Sequence, residues 1–315
     1  MNNNSTLYGY FGIILAILGW GLSNSFIKFG LDNINPYFFL SLRFIVAGII
    51  FTPYIILFKR KIFIQYLSNK WIWIIAFFEF MGLEFQYFGQ QFVSASLATL
   101  LCLQFVVIVP ILSIKFLNEP VSKVTIASTI FALSGTYFIS TNGDFSDFFI
   151  NLNVGGLVLL LAALAYSLYL IVSSHFTTNI DTSIDSSVMF YNIIVGIALF
   201  SLIPTISFSS SYTIDSSVWI WIIALATFST LVPFFGYFLG LKVVSANTMS
   251  LVLLFQITVP FAIDIFFLGI TYSYWIIVGS FLILSSLIVV AVKPLINRQH
   301  LDQKLFPKDL YSISE

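Results

Sequence analysis

Long apolar runs, each close to the length of a membrane-crossing helix and separated by short polar junctions, set the frame of this 315-residue chain. A helix needs about 20 mostly apolar residues to cross hydrocarbon. That length predicts ten spans: Tyr8–Gly30, Pro36–Phe58, Trp71–Phe92, Ser94–Leu117, Val121–Thr141, Val154–Phe176, Ser187–Ile206, Val218–Leu241, Ser245–Gly269 and Tyr272–Val292. Most junctions begin or end with Asn, Asp, Ser, Gly or Pro, the residues that punctuate helices. The longest polar stretches are Thr141–Asn153, Thr177–Ser186, Phe208–Ser217 and the tail from Lys293. None has room for a soluble domain.

Composition agrees with that frame. Hydrophobic residues make up 59% of the chain and charged residues 8%, too apolar a balance for a soluble domain of this size. The formal net charge is zero, and the basic residues form no single patch, so there is no electrostatic case for nucleic acid. A lone cysteine, Cys102, excludes an internal disulfide framework and a multi-cysteine metal site. His175 and His300 are too few and too far apart to argue for zinc, and no cofactor is expected. Met1–Leu7 carries no basic segment and the first apolar run exceeds a signal-peptide core, so it is read as a retained span. The 36 phenylalanines suit a lipid-facing surface and by themselves say nothing about a substrate.

Lys and Arg set the expected orientation. With the N-terminus in the cytoplasm, eleven of the 13 fall on inner segments: Lys59 to Lys61, Lys70, Lys115, Lys123, Lys242 and the C-terminal tail. The exceptions are Lys28, near the outer end of span one, and Arg43, inside span two. The expectation is a multi-pass cell-membrane protein with both termini cytoplasmic.

The chain also resembles itself. At a shift near 151 residues, the segment from Gly89 through Val93, Ser94 and Ala95 lies over that from Gly240 through Val244, Ser245 and Ala246, and Pro110 falls close to Pro260. Each half then holds five spans, with boundaries at 1–146 and 147–293 and a tail at 294–315. An odd number of spans makes the second half enter the membrane upside down, as in transporters whose binding site lies near the midplane between repeats.

The residues at these junctions carry a resemblance. Trp20-Gly-Leu-Ser-Asn-Ser-Phe-Ile-Lys28 is similar to the first-helix motif of the drug/metabolite transporter superfamily, EamA type. Pro36 with Leu42-Arg43-Phe44 and Ala47 resembles its second helix. Val93 to Ala98, then Pro110, then Leu117-Asn-Glu119-Pro120 resembles its fourth helix and the acidic turn that follows. The resemblance implies an all-α membrane protein of ten transmembrane helices in two inverted five-helix repeats, moving a solute by alternating access. One departure is plain: the family often has a Gly-Glu pair at the end of span nine, where this chain has Gly269-Ile270, with Asp264 lying earlier.

Charges within apolar spans are costly, about 2.5–3.5 kcal/mol each on insertion scales, and mark a site. In span one, Trp20, Asn24 and Lys28 are four apart and form one stripe. Trp20 offers a stacking wall and Asn24 an amide; Lys28 either joins them or reaches the outer interface. In span three, Glu79, Gln86 and Gln90 cluster on one face, Glu84 and Gln91 on another, with Tyr87 between them. Arg43 and Glu84 match in depth, so a buried ion pair is expected there, as a static lock or as a gate. Glu79 has no basic residue evident at its depth. It either exchanges a proton during coupling or stays as a neutral carboxyl bonded to a neighbouring helix. Tyr166 and Tyr169 share a face where the counterpart of the Trp20 helix should lie. Gln104 and Gln256 are expected as a quasi-symmetric pair.

These features predict a secondary transporter, expected to export a small metabolite, amino acid-like or otherwise polar and amphipathic. Its partners would be that solute, the bilayer and, if Glu79 titrates, a coupling proton, with the protein a monomer or homodimer. An intramembrane enzyme and a channel or scaffold are the alternatives. The first lacks two apposed aspartates and lacks a Gly-x-Ser nucleophile with a suitably placed buried histidine, and the second fits a two-fold repeat less well. No phosphate-binding loop is present, so active transport must draw on a gradient.

Overall fold

The computed structural model describes residues 3–31, 34–92, 98, 101–119, 121–141, 143, 154–208, 214–259, 273–275, 277–283 and 285–286. Among these residues the fold is helical throughout. Span one is α1 (Asn3–Leu31). Span two is α2 (Pro36–Tyr54), continued through a π turn at Ile55–Lys59 into α3 (Arg60–Leu67). Span three is α4 (Lys70–Gly89). Then follow α5 (Phe105–Phe116), α6 (Lys123–Thr141), α7 (Val154–His175) and α8 (Ser186–Phe208). Span eight is α9 (Val218–Ala226), a π turn at Thr227–Leu231, and α10 (Val232–Gly240). The last element, α11 (Ala246–Leu253), runs into a 3-10 turn at Leu254–Ile257.

Capping residues explain several of the starts. Asn35 accepts from the amides of Tyr37 and Phe38, with Pro36 at the first helical position, where its missing N–H costs nothing. Asn69 accepts from Trp71 N and Ser245 from Thr248 N. Five helical runs are long and apolar enough to cross a membrane: Thr6–Leu31, Pro36–Leu67, Val154–Ile180, Ser186–Phe208 and Val218–Gly240. Outward-facing Leu57, Ile203, Ile206 and Ile220 give the apolar surface that lipid requires.

Two differences from the predicted spans matter. The polar junction expected after Phe58 is helical, so span two continues as one rod to Leu67. Spans four and nine are interrupted. The first turns at Leu103 and Gln104 through i→i−3 bonds such as Val106 N to Leu103 O, 3.1 Å, and the second at the 3-10 turn. Pro260, Asp264 and the Gly269-Ile270 pair lie outside the described residues, as does the tail.

The packing joins early helices to late ones. Strong partners are α1 with α10, α4 with α7, α2 with α8, and α5 with both α7 and α11. Small residues allow the closest approaches. A Cβ on Gly12 would stand 2.5 Å from the carbonyl oxygen of Gly236, so α1 and α10 meet backbone to backbone. Gly89 lies against Leu159 and Gly155, and Gly82 lies under the Tyr166 ring. In a bilayer, where lipid is as apolar as leucine, such close packing supplies the attraction between helices. Hydroxyl bonds stitch α2 to α8: Ser41 donates to Ser201 O at 2.9 Å, and Thr52 shares a 2.6 Å bond with Tyr191.

At one end of the bundle, the loop after α7 is held by the extension of span two and by the turn after α10. Lys59 pairs with Asp185 at 2.7 Å, Tyr66 donates to Asp181, and Lys242 donates to Ile184 O at 2.5 Å. Partial burial pushes the Asp185 carboxyl up, but Lys59 and the Ser187 hydroxyl and amide outweigh it and hold it below the usual range. Its contribution is therefore complete above the unfolded value, near pH 4, and is lost as acid titrates the folded carboxyl. Both side chains are partly exposed, so Lys59→Met should lower stability only slightly, and the difference from wild type should fade below about pH 4.

Gly12→Val should destabilise by about 1–3 kcal/mol through overpacking. Gly48→Ala, whose new methyl would meet only Ile194 at 4.0 Å, should be neutral or gain up to about 1 kcal/mol. Thermal melts in detergent compare the two; equal melting temperatures would contradict the close-contact assignment.

Candidate functional site

A chamber of about 100 Å³ lies inside the bundle. It is walled by α1, α2, α4, α7, α10 and the interrupted stretches of spans four and nine. Trp20 and Ser23 reach it from α1, and Arg43 from α2. Glu79, Leu83 and Gln86 line it from α4, Tyr166 and Tyr169 from α7. Phe234 and Tyr237 close it from α10, while Leu103, Phe105 and Gln256 stand at the two helix interruptions.

Its walls are aromatic. Trp20 meets Phe234 edge-on at 5.6 Å and Tyr237 at 5.4 Å. Tyr169 stacks on Tyr237 at 5.3 Å and 20°. The Tyr166 hydroxyl donates to Gln86 Oε1. Offset and edge-on rings at these spacings add attraction beyond their buried area.

Arg43 is 1% exposed and makes four hydrogen bonds to protein groups. Nε donates to Thr230 Oγ1 at 2.7 Å and Nη2 to Ser229 O at 2.5 Å. Nη1 donates to Tyr87 Oη at 3.1 Å and Ser23 Oγ at 3.3 Å. The sequence prepares this geometry. Pro233 lacks the N–H that would ordinarily bond Ser229 O four residues back, and the backbone around it is already opened by the π turn. That carbonyl is left for the guanidinium. One side chain thus ties α1, α2 and α4 to span eight.

The expected Arg43–Glu84 ion pair is not formed. The equal depth of the two residues was legible, but depth does not fix direction around a helix. Arg43 lies on the face of α2 that packs inward with Phe39, Phe44 and Ala47. Both Glu84 carboxylate oxygens are buried without a hydrogen-bond partner. The acidic residue that shares a cavity with Arg43 is Glu79, 4% exposed, with Oε2 unpartnered. The expectation that no cation lies near Glu79 is corrected accordingly.

Of the other residues singled out from sequence, Trp20, Tyr166, Tyr169 and Gln256 line the chamber. Tyr87 lies just behind it, on Arg43. Gln90 caps the end of α4 and Gln104 sits at the turn before α5; neither is among the lining residues. Lys28 is exposed near the end of α1, and the Asn24 side chain lies outside the described residues. Sequence reasoning passed over Ser23, Phe105, Phe234 and Tyr237, which read as ordinary span residues. The i, i+3 relation of Ser23 to Trp20 and of Tyr237 to Phe234 was the available signal.

The acidic turn has a structural use. Asn118 takes a left-handed conformation, φ 53°, after the end of α5. Glu119 then accepts from the amides of Ala246 and Asn247, at 3.1 and 3.3 Å, and from Asn247 Nδ2 at 3.0 Å. It caps the first turn of α11, where free N–H groups and the helix dipole favour a carboxylate. Ser113 on α5 donates to Asn247 Oδ1 at 2.9 Å, completing the tie.

The sequence profile of the EamA-like transporter family matches residues 7–141 and 153–292. The chain belongs to the EamA-like transporter family. A curated relative from Archaeoglobus fulgidus, described as an uncharacterized transporter, is 24% identical over 301 residues, covering 91% of this chain and 87% of its own. A solved crystal structure superposes with a TM-score of 0.72 at 17% identity, over 92% of this chain and 98% of that one, and supports the fold. As an EamA-like protein the chain is a ten-helix, all-α, multi-pass membrane transporter, and the family points away from an enzyme.

Arg43→Ala should lower stability by about 3–5 kcal/mol, because it removes charged hydrogen bonds that join four spans. In double-mutant cycles, Arg43 with Thr230 should couple by about 1–3 kcal/mol and Arg43 with Glu84 by less than about 0.5. Strong coupling to Glu84 would restore the ion pair that the geometry denies.

Proposed function

We propose that this protein is a secondary transporter that carries a small polar or amphipathic metabolite by alternating access, in the direction of export. The chamber carries the reading: a polar and aromatic space deep in an apolar bundle, bounded by helices from both family-matched segments. Polar side chains that lipid cannot solvate need either one another or a solute.

The packing supports two repeats of five spans. Exchanging the halves converts the α1–α10 pair into the α4–α7 pair and leaves α2–α8 and α5–α11 unchanged in kind. The contact of Gly89 with Leu159 has its counterpart in that of Gly240 with Ile13. Ile13 and Leu159 stand at the same distance from the starts of the matched segments, as Trp20 and Tyr166 do. Both interrupted helices reach the chamber beside their breaks, through Leu103 and Phe105 in one and Leu253 and Gln256 in the other. Broken helices at a repeat interface are a recurring way to build a midplane site.

Export also fits the orientation read from Lys and Arg, with both termini cytoplasmic, and Glu79 is the residue offered for coupling to a proton. The experiment is counterflow in proteoliposomes: labelled solute should accumulate transiently against preloaded unlabelled solute, a behaviour a channel lacks. Trp20→Ala should weaken the apparent affinity about tenfold, or ~1.4 kcal/mol, without loss of the folded protein. Unchanged affinity would remove Trp20 from the binding wall, and linear, non-saturating flux would replace the carrier with a channel.

A further inference from the structure

From the hydrogen bonding of Arg43 and of the Glu79 carboxyl in the chamber, we infer that it selects organic amines, an ammonium group joined to an aromatic or other apolar body, over amino acids and over carboxylates. The inference concerns binding, and rests on the transport reading only for the fate of the bound solute.

The two charges differ in what they have left to offer. A guanidinium has five N–H donors, and four bonds to Thr230, Ser229, Tyr87 and Ser23 occupy Arg43. It is the cation among the described lining residues, and it is committed to holding helices together. A solute carboxylate entering here finds no free charged fork. Glu79 is the reverse case. It lines the same chamber and is 4% exposed, Oε2 has no partner, and no ion pair within 4.0 Å involves it among the described residues. A buried carboxylate oxygen without a donor is costly. A primary ammonium brings three N–H donors and the opposite charge.

The surroundings favour the same chemistry. Trp20, Tyr237 and Tyr169 form a continuous aromatic wall, with centroid separations of 5.4 and 5.3 Å. Glu79 lines the chamber together with Tyr166, Tyr169 and Tyr237, so the carboxyl and the rings face one space. Ring faces attract cations, most strongly where water is excluded, and repel carboxylates. Carboxylate and rings therefore agree on the ammonium, while the apolar faces of Phe105, Leu103 and Phe234 are left for the body of the solute.

Three probes share one aromatic frame: phenethylamine carries the ammonium alone, phenylalanine both charges, and 3-phenylpropionate the carboxylate alone. Thermal shift and calorimetry on the purified full-length protein in detergent should rank phenethylamine first, with phenylalanine at least tenfold weaker and 3-phenylpropionate without effect. Glu79→Gln should weaken phenethylamine at least tenfold, and Glu79→Asp less. Phenylalanine or 3-phenylpropionate binding as tightly as phenethylamine, or no binding by phenethylamine, overturns the assignment, and this comparison needs no variant. Undiminished phenethylamine binding by a folded Glu79→Gln protein overturns it as well. Glu79-dependent binding of phenethylamine without counterflow in proteoliposomes would sink the transport reading and leave the amine site standing.

Discussion

A guanidinium cannot be left bare in hydrocarbon, and the way this fold meets that constraint at Arg43 organises much else. Four protein acceptors on three other spans converge on it. One of them exists because Pro233 withholds a helical hydrogen bond from Ser229. The price of placing a cation in the bundle interior is thus met by backbone irregularity in span eight rather than by a counter-charge. This leaves Glu79 unpaired in the adjoining chamber, and the same arrangement that stabilises the helices also sets the chemistry on offer to a solute.

Much of this was legible in the sequence because hydrocarbon imposes a simple ruler. Apolar run length fixed the span frame, and polar residues within runs pointed inward for want of any alternative. Trp20, Glu79, Tyr166, Tyr169 and Gln256 reach the chamber for that reason. What escaped was direction and irregularity. A helical wheel gives the relative angles of residues on one span but not the rotation of that span against its neighbours. Glu84 and Gln90, on the same helix as Glu79, therefore went to other places. The turn at Leu103 and Gln104 carries no glycine or proline to announce it. The role of Glu119 was visible only as a motif until its carboxylate was found on the amides of Ala246 and Asn247.

Glu119 and Arg43 also show two solutions to one problem. Each is a charged group that satisfies free backbone groups belonging to a distant part of the chain. Arg43 serves a carbonyl orphaned by proline, and Glu119 serves amides orphaned by a helix start. Both link the first matched segment to the second. Polar bonds of this kind depend on direction in a way that apolar packing does not, so they fix how the halves register against each other.

The backbone contact between Gly12 and Gly236 has a mechanical consequence. Helices that meet main chain to main chain at one point and interlock side chains along the rest of their contact have little freedom to slide or roll. The α1–α10 pair is therefore a single stiff member, and the Gly82 and Gly89 contacts make another of α4 and α7. Each member takes one helix from either side of the chain's midpoint. Any rearrangement that opens the chamber must carry span one with span eight and span three with span six. The stiff units of the bundle are consequently not the two segments that match the family profile; each is a hybrid of both.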